Sequence, residues 1–135
     1  MQAIVLDDTE VRSLIERRRE SGADRYDEVW DGVYVMAPLA SNEHRRLAFE
    51  LARVFAEAAP SGATVLQGAN VSDRQEEWEH NYRCPDVVVV LPGGRAIDAG
   101  THWIGGPDLL VEVVSPNDRS RDKLGFYASL ACGSS

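Results

Sequence analysis

Residues 83–92, RCPDVVVVLP, and residues 106–116, GPDLLVEVVSP, decide how this chain folds. Each is a run of β-branched and apolar residues interrupted by one acid, Asp86 in the first and Glu112 in the second. Runs without polar alternation are expected of strands covered on both faces, in the middle of a sheet. An ionised carboxylate there costs several kcal/mol unless something pairs with it. Two such acids in one small chain therefore call for partners.

Side chains alternate faces along a strand, so Asp86 shares a face with Val88 and Val90, and Glu112 with Leu110 and Val114. Sequential strands usually pair, which would open both acids onto one pocket. Carboxylates a few ångströms apart repel each other until a proton or a divalent cation sits between them. Mg²⁺ takes one or two carboxylates and completes its shell with water and phosphate oxygens. The pair thus predicts a metal site that receives a phosphate. A structural account also stands for each residue: Asp86, after Pro85, can end a strand, and Glu112 can pair with an arginine such as Arg83 or Arg119.

Upstream, RYDEVWDGVYVMAP (25–38) reads as a hairpin with strands near 26–30 and 33–37. Asp31-Gly32 suits a two-residue type I′ turn, in which both central residues need positive φ. SNEHRRLAFELARVFAEAAPSG (41–62) is the clearest helix: Ser41 or Asn42 caps it, Leu47, Leu51, Val54 and Phe55 recur at helical spacing, and Pro60 and Gly62 stop it. Before the hairpin, DDTEVRSLIERRRESG predicts a short helix capped by Asp8 or Thr9 and ended at Gly22. A strand is expected around TVLQGANVS (64–72), then a polar loop, and a glycine-rich connection at 92–106. NDRSRDKLGFYASLA (117–131) has helical character, with Leu124, Tyr127 and Ala128 on one face. The order is helix, hairpin, helix, three strands, helix. That predicts one α/β domain over 1–135, a mixed β-sheet flanked by helices.

At 135 residues the chain suits one domain with a real core. No apolar run reaches the roughly 18–20 residues of a membrane span, and the N-terminus lacks a signal-peptide pattern, so a cytoplasmic protein is expected. Cys84 and Cys132 have no metal-ligand spacing and are expected to be reduced thiols. The net charge of −8 and pI near 4.8 argue against an avid basic nucleic-acid surface and suit a concentration of carboxylates.

The ordered set RYDEVWDGVYVMAP, SNEHRRLAFELARVF, RCPDVVVV and DLLVEVVSPNDRSRDKLGFY resembles the Uma-type putative restriction endonuclease family, within the PD-(D/E)XK nuclease superfamily, over roughly residues 9–130. The resemblance implies a restriction endonuclease-like fold and a Mg²⁺-dependent endonuclease acting on DNA, with Mn²⁺ as a substitute. Asp86 and Glu112 would be the metal ligands and catalytic acids. The superfamily's lysine stands two residues after the glutamate, where this chain has Val114; the matching lysine is Lys123, on the following helix, where it would polarise water or stabilise transition-state charge. Glu43 and His44 match the family's "EH": Glu43 is an expected metal ligand or helix cap, His44 a hydrogen-bond donor to a metal-ligating group or a general base. Tyr127 is expected in the core and Ser115 as a cap.

The chain ends FYASLACGSS, where relatives continue into a further strand. The resemblance therefore implies a sheet edge left open, and either a homodimer that covers it or a protein poorly stable alone. Two other functions compete with the nuclease: a non-catalytic interaction or assembly module, and a hydrolase of a smaller phosphoester, which suits the acidic surface better than DNA.

Overall fold

The computed structural model describes residues 7–116 and 118–131. Its first element is helix α1, Asp8–Ser21. The cap is Asp7 rather than Asp8 or Thr9: its carboxylate accepts from the Glu10 amide at 2.8 Å, and the Glu10 side chain accepts from the Asp7 amide. A reciprocal box satisfies two backbone donors that the helix leaves open, and residues one position later could not form it. Gly22 ends the helix in the left-handed conformation, φ 78°.

The hairpin forms where Asp31-Gly32 predicts it. Strands β1 (Glu28–Trp30) and β2 (Val33–Val35) pair antiparallel, and the two turn residues have φ of 49° and 87°. Both strands are shorter than expected. Asp27, just before β1, is fully buried and accepts from Arg18, from the Tyr34 hydroxyl and from the Ala37 amide, at 2.6–2.7 Å. This carboxylate ties α1 to both sides of the hairpin.

Helix α2, Asn42–Ala58, is capped by Ser41, whose hydroxyl accepts from the His44 amide at 3.1 Å. The segment expected as a single strand breaks at Gly68, φ 63°, where the ring of Tyr26 leaves no room for a Cβ. Its halves, β3 (Thr64–Gln67) and β4 (Val71–Ser72), enter different sheets. That is why the expected sheet is two sheets.

The loop and the glycine-rich connection supply three further short strands, β5 (Tyr82–Arg83), β7 (Ile97–Asp98) and β8 (Trp103–Ile104). Strand β6 is Val87–Val90 and β9 is Leu109–Val111. One sheet has the order β2-β1-β5-β4-β8-β7 and is mixed, because β4 and β8 run parallel; the other has the order β3-β6-β9. The fold is mixed α/β, as expected of a restriction endonuclease-like protein.

All four valines of β6 are buried, and the strand is central in its sheet. Each contributes about 1.5 kcal/mol or more through apolar area removed from water. Strand β9 differs from expectation: it is neighbour to β6 but occupies an edge of the three-stranded sheet, and Leu109 is exposed. Helix α2 lies against β3 and β6. Val88 and Val90 pack with Val71, Trp103, Tyr127 and Leu130 in the main core cluster. The last two come from helix α3, Leu124–Ala131, which follows a 3₁₀ turn at Ser120–Lys123. Its packed residues are Phe126, Tyr127 and Leu130; of the three residues expected on one face, Tyr127 is buried while Leu124 and Ala128 are exposed. Cys84 is buried and free, and Cys132 lies outside the described residues. Among the described residues no helix is long and apolar enough to cross a membrane.

Candidate functional site

Strands β6 and β9 pair antiparallel with Val87 opposite Val111. Extending that register by one residue sets Asp86, just before β6, across from Glu112, just after β9. The Asp86 amide donates to the Val111 carbonyl at 3.0 Å, and the Val113 amide donates to Asp86 Oδ2 at 2.6 Å. The two acids therefore face each other at the end of a strand pair. They line a cavity of about 490 Å³ together with Glu28, His44, Lys123 and Ser115.

Glu112 is bound by neither Arg83 nor Arg119. Lys123 Nζ lies 2.5 Å from Glu112 Oε2 and 2.6 Å from Glu28 Oε2, and the Tyr127 hydroxyl donates to Glu112 Oε2 at 2.6 Å. Tyr127 is thus the core residue expected and also a contact of the site. The lysine comes from the 3₁₀ turn before α3, so a long side chain reaches the pocket from the following element. Val114, at the superfamily's lysine position, is half exposed.

His44, on the first turn of α2, has Nε2 3.0 Å from Asp86 Oδ1 and Nδ1 3.1 Å from Ser115 Oγ. Ser115 does not cap the next segment through its hydroxyl; its amide donates to Asp118 Oδ2, and its hydroxyl meets the histidine. Glu43 is exposed and does not line the cavity, so the fold does not bring it to the other two acids.

Glu28 was not singled out from the sequence. It is 5% exposed, and its carboxylate accepts from Trp30 Nε1 at 2.7 Å, from the Cys84 amide at 2.6 Å and from Lys123. The signal was weak: Glu28 is an acid at the start of a three-residue strand, with Asp27 beside it and only Val29 and Trp30 following.

The cluster holds three carboxylates and one ammonium, all largely removed from water. Burial, together with the charge of Asp86, pushes Glu112 up to about 7, against the pull of Lys123 and Tyr127. Burial opposes the charge on Lys123, yet Glu28 and Glu112 outweigh it and raise its pKa, so the side chain stays an ammonium. The surplus negative charge calls for a proton or a cation. Asp86 and Glu112 are hard oxygen donors on facing positions, a set that fits a small divalent ion. Among the described residues no group of three His, Cys, Asp or Glu side chains is arranged to hold a metal, so water or substrate oxygens would fill the remaining positions.

A family model described as "Putative restriction endonuclease" matches residues 13–133 of the chain. A search of curated proteins gives no significant match.

Proposed function

This chain belongs to the Uma2 family, and from that premise we propose that it is a Mg²⁺-dependent endonuclease that hydrolyses phosphodiester bonds in DNA, with Mn²⁺ able to replace Mg²⁺. The observation that carries this reading is the meeting of Asp86, Glu112 and Lys123, from separate stretches of chain, in one cavity. Asp86 and Glu112 would hold the cation, which when bound lowers the pKa of water and offsets charge developing on the phosphate.

The chain's own residues then divide the work. Asp86 is aimed by the Val113 amide and by His44, so it enters the site in one orientation. His44, with both ring nitrogens engaged, holds that carboxylate from behind and fixes its orientation. Lys123, held between two carboxylates, keeps its charge, which suits it to stabilise negative charge on the phosphate. The Tyr127 hydroxyl and Lys123 restrain Glu112.

Incubating supercoiled plasmid with the protein and Mg²⁺ tests this reading. Nicking that is lost with chelator and in Lys123→Met is expected; intact plasmid under all conditions would overturn it. The net charge of −8 favours one second reading, hydrolysis of a smaller phosphoester, which a chromogenic phosphodiester in the same assay would reveal. An assembly role without catalysis would show metal binding and no turnover of either substrate.

A homodimer is proposed with it. Among the described residues β9 pairs only with β6, so its outer edge has backbone groups that a second copy would satisfy. Sedimentation velocity showing a monomer at all concentrations would contradict this.

A further inference from the structure

Lys123 is the chain's only lysine, against thirteen arginines. It is 7% exposed and meets two carboxylates. A cation needed only for pairing is served elsewhere in this molecule by arginine, as at Asp27, Asp73 and Glu50. An ammonium differs in being compact and in donating in three directions, where a guanidinium presents a planar fork. Two of its hydrogens are accounted for by Glu28 and Glu112, and the side chain lines the cavity with a third donor in hand.

We propose that Glu28 is the positioning residue for Lys123, holding its ammonium beside Glu112 while leaving part of its donor capacity for a substrate oxygen. The carboxylate is suited to this because it cannot turn away. Trp30 Nε1 fixes one oxygen at 2.7 Å, and the Cys84 amide fixes the other at 2.6 Å. Cys84 stands two residues before Asp86, so the same carboxylate joins the hairpin, the segment that carries Asp86 and the turn that carries Lys123. Without Glu28 the ammonium keeps one carboxylate contact instead of two and is no longer held in place beside Glu112. With it, the lysine charge is shared between one carboxylate facing the acid pair and one set back in the hairpin. The use made of the third hydrogen rests on the nuclease reading; the anchoring does not.

The single lysine makes the test specific, because ¹⁵N-lysine labelling of the full chain yields one Nζ resonance. In the unmutated protein, correlations through hydrogen bonds from Nζ to the carboxyl carbons of two glutamates, Glu28 and Glu112, are expected. In Glu28→Gln the protected ammonium signal should be lost, and Lys123 should be acylated by an amine-reactive reagent much faster, read by peptide mass. A general loosening of the fold would broaden the backbone amide spectrum as well, whereas loss of positioning leaves that spectrum dispersed. A lysine signal and acylation rate unchanged in Glu28→Gln would overturn the proposal. If that variant does not fold, the unmutated chain decides: absence of a correlation to Glu28 overturns it. None of these readings needs turnover, so a protein that cleaves no DNA defeats the nuclease reading while the lysine spectrum still decides the role of Glu28.

Discussion

His44 Nε2 lies 3.0 Å from Asp86 Oδ1, and its other ring nitrogen lies 3.1 Å from the Ser115 hydroxyl. The histidine comes from the first turn of α2 and the aspartate from the start of β6, so the contact aligns a helix terminus with the open end of a strand pair. Outer partners of ligating groups typically cost 10–100-fold in affinity when removed. His44→Ala should therefore weaken Mn²⁺ binding by about tenfold or more, measured by calorimetry, and leave the thermal melt nearly unchanged. An affinity equal to that of the unmutated chain would remove His44 from the site.

Tyr127→Phe keeps the buried ring and deletes one hydrogen bond, Tyr127 hydroxyl to Glu112 Oε2 at 2.6 Å. The cost should be about 1–2 kcal/mol, since the acceptor is a carboxylate. The hydroxyl is one of the groups that hold Glu112 down, so the Glu112 titration, already near 7, should move further up. Denaturant unfolding and carboxyl-carbon NMR measure the two effects. A stabilised variant would contradict the account.

Asp27 controls stability, not chemistry. Burial alone would raise its pKa, but hydrogen bonds from Arg18, Tyr34 and the Ala37 amide outweigh burial and hold it below the ordinary 3.8. A lowered folded-state value contributes stability that is present above the unfolded value and lost as pH falls through the lowered one. Asp27→Asn leaves the Arg18 charge without its partner and should cost about 3 kcal/mol at pH 7. The gap from the unmutated chain should narrow below about pH 4. Melts from pH 3 to 7 test the sign: a gap that widens towards acid would refute it.

Glu112 has the opposite sign. Its folded value of about 7 lies above the ordinary 4.5, so its contribution is fully present below 4.5 and is lost as pH rises towards 7. Metal-free protein should therefore lose stability over that window, and Glu112→Gln should flatten the loss. Melts of both forms across pH 4.5–8 would show it.

How far the sequence reveals this arrangement depends on the element. The Asp31-Gly32 turn and the Ser41 cap are local devices, in which a few neighbouring residues determine the geometry, and both form where the sequence places them. The unbroken VVVV run likewise identifies a strand buried on both faces. The split of 64–72 is different, because Gly68 bends where the Tyr26 ring, remote in sequence, approaches its backbone. Short pairings such as Val71 with Arg83 and Trp103 rest on tertiary context with almost no local periodicity, so the two-sheet layout is not legible.

The site divides the same way. Asp86 and Glu112 stand out as acids in apolar runs, and the register of β6 with β9 puts them together. Glu28 obeys the same logic but sits beside Asp27 in a stretch with alternating polarity, where an acid looks like a solvated strand residue. Both acids are in fact buried, because Arg18 covers one and Lys123 reaches the other from 95 residues away. Glu43 illustrates the converse: adjacency to His44 in sequence turns it to another side of the helix, away from the cavity.

The most direct measurement is calorimetric titration of Mn²⁺ or Mg²⁺ into the unmutated chain and into Asp86→Asn, at a pH above 7 where Glu112 is ionised. The account predicts saturable binding by the first and its loss in the second, with the Asp86→Asn fold intact by circular dichroism. Binding that survives in Asp86→Asn, or that is absent from the unmutated chain, would contradict it.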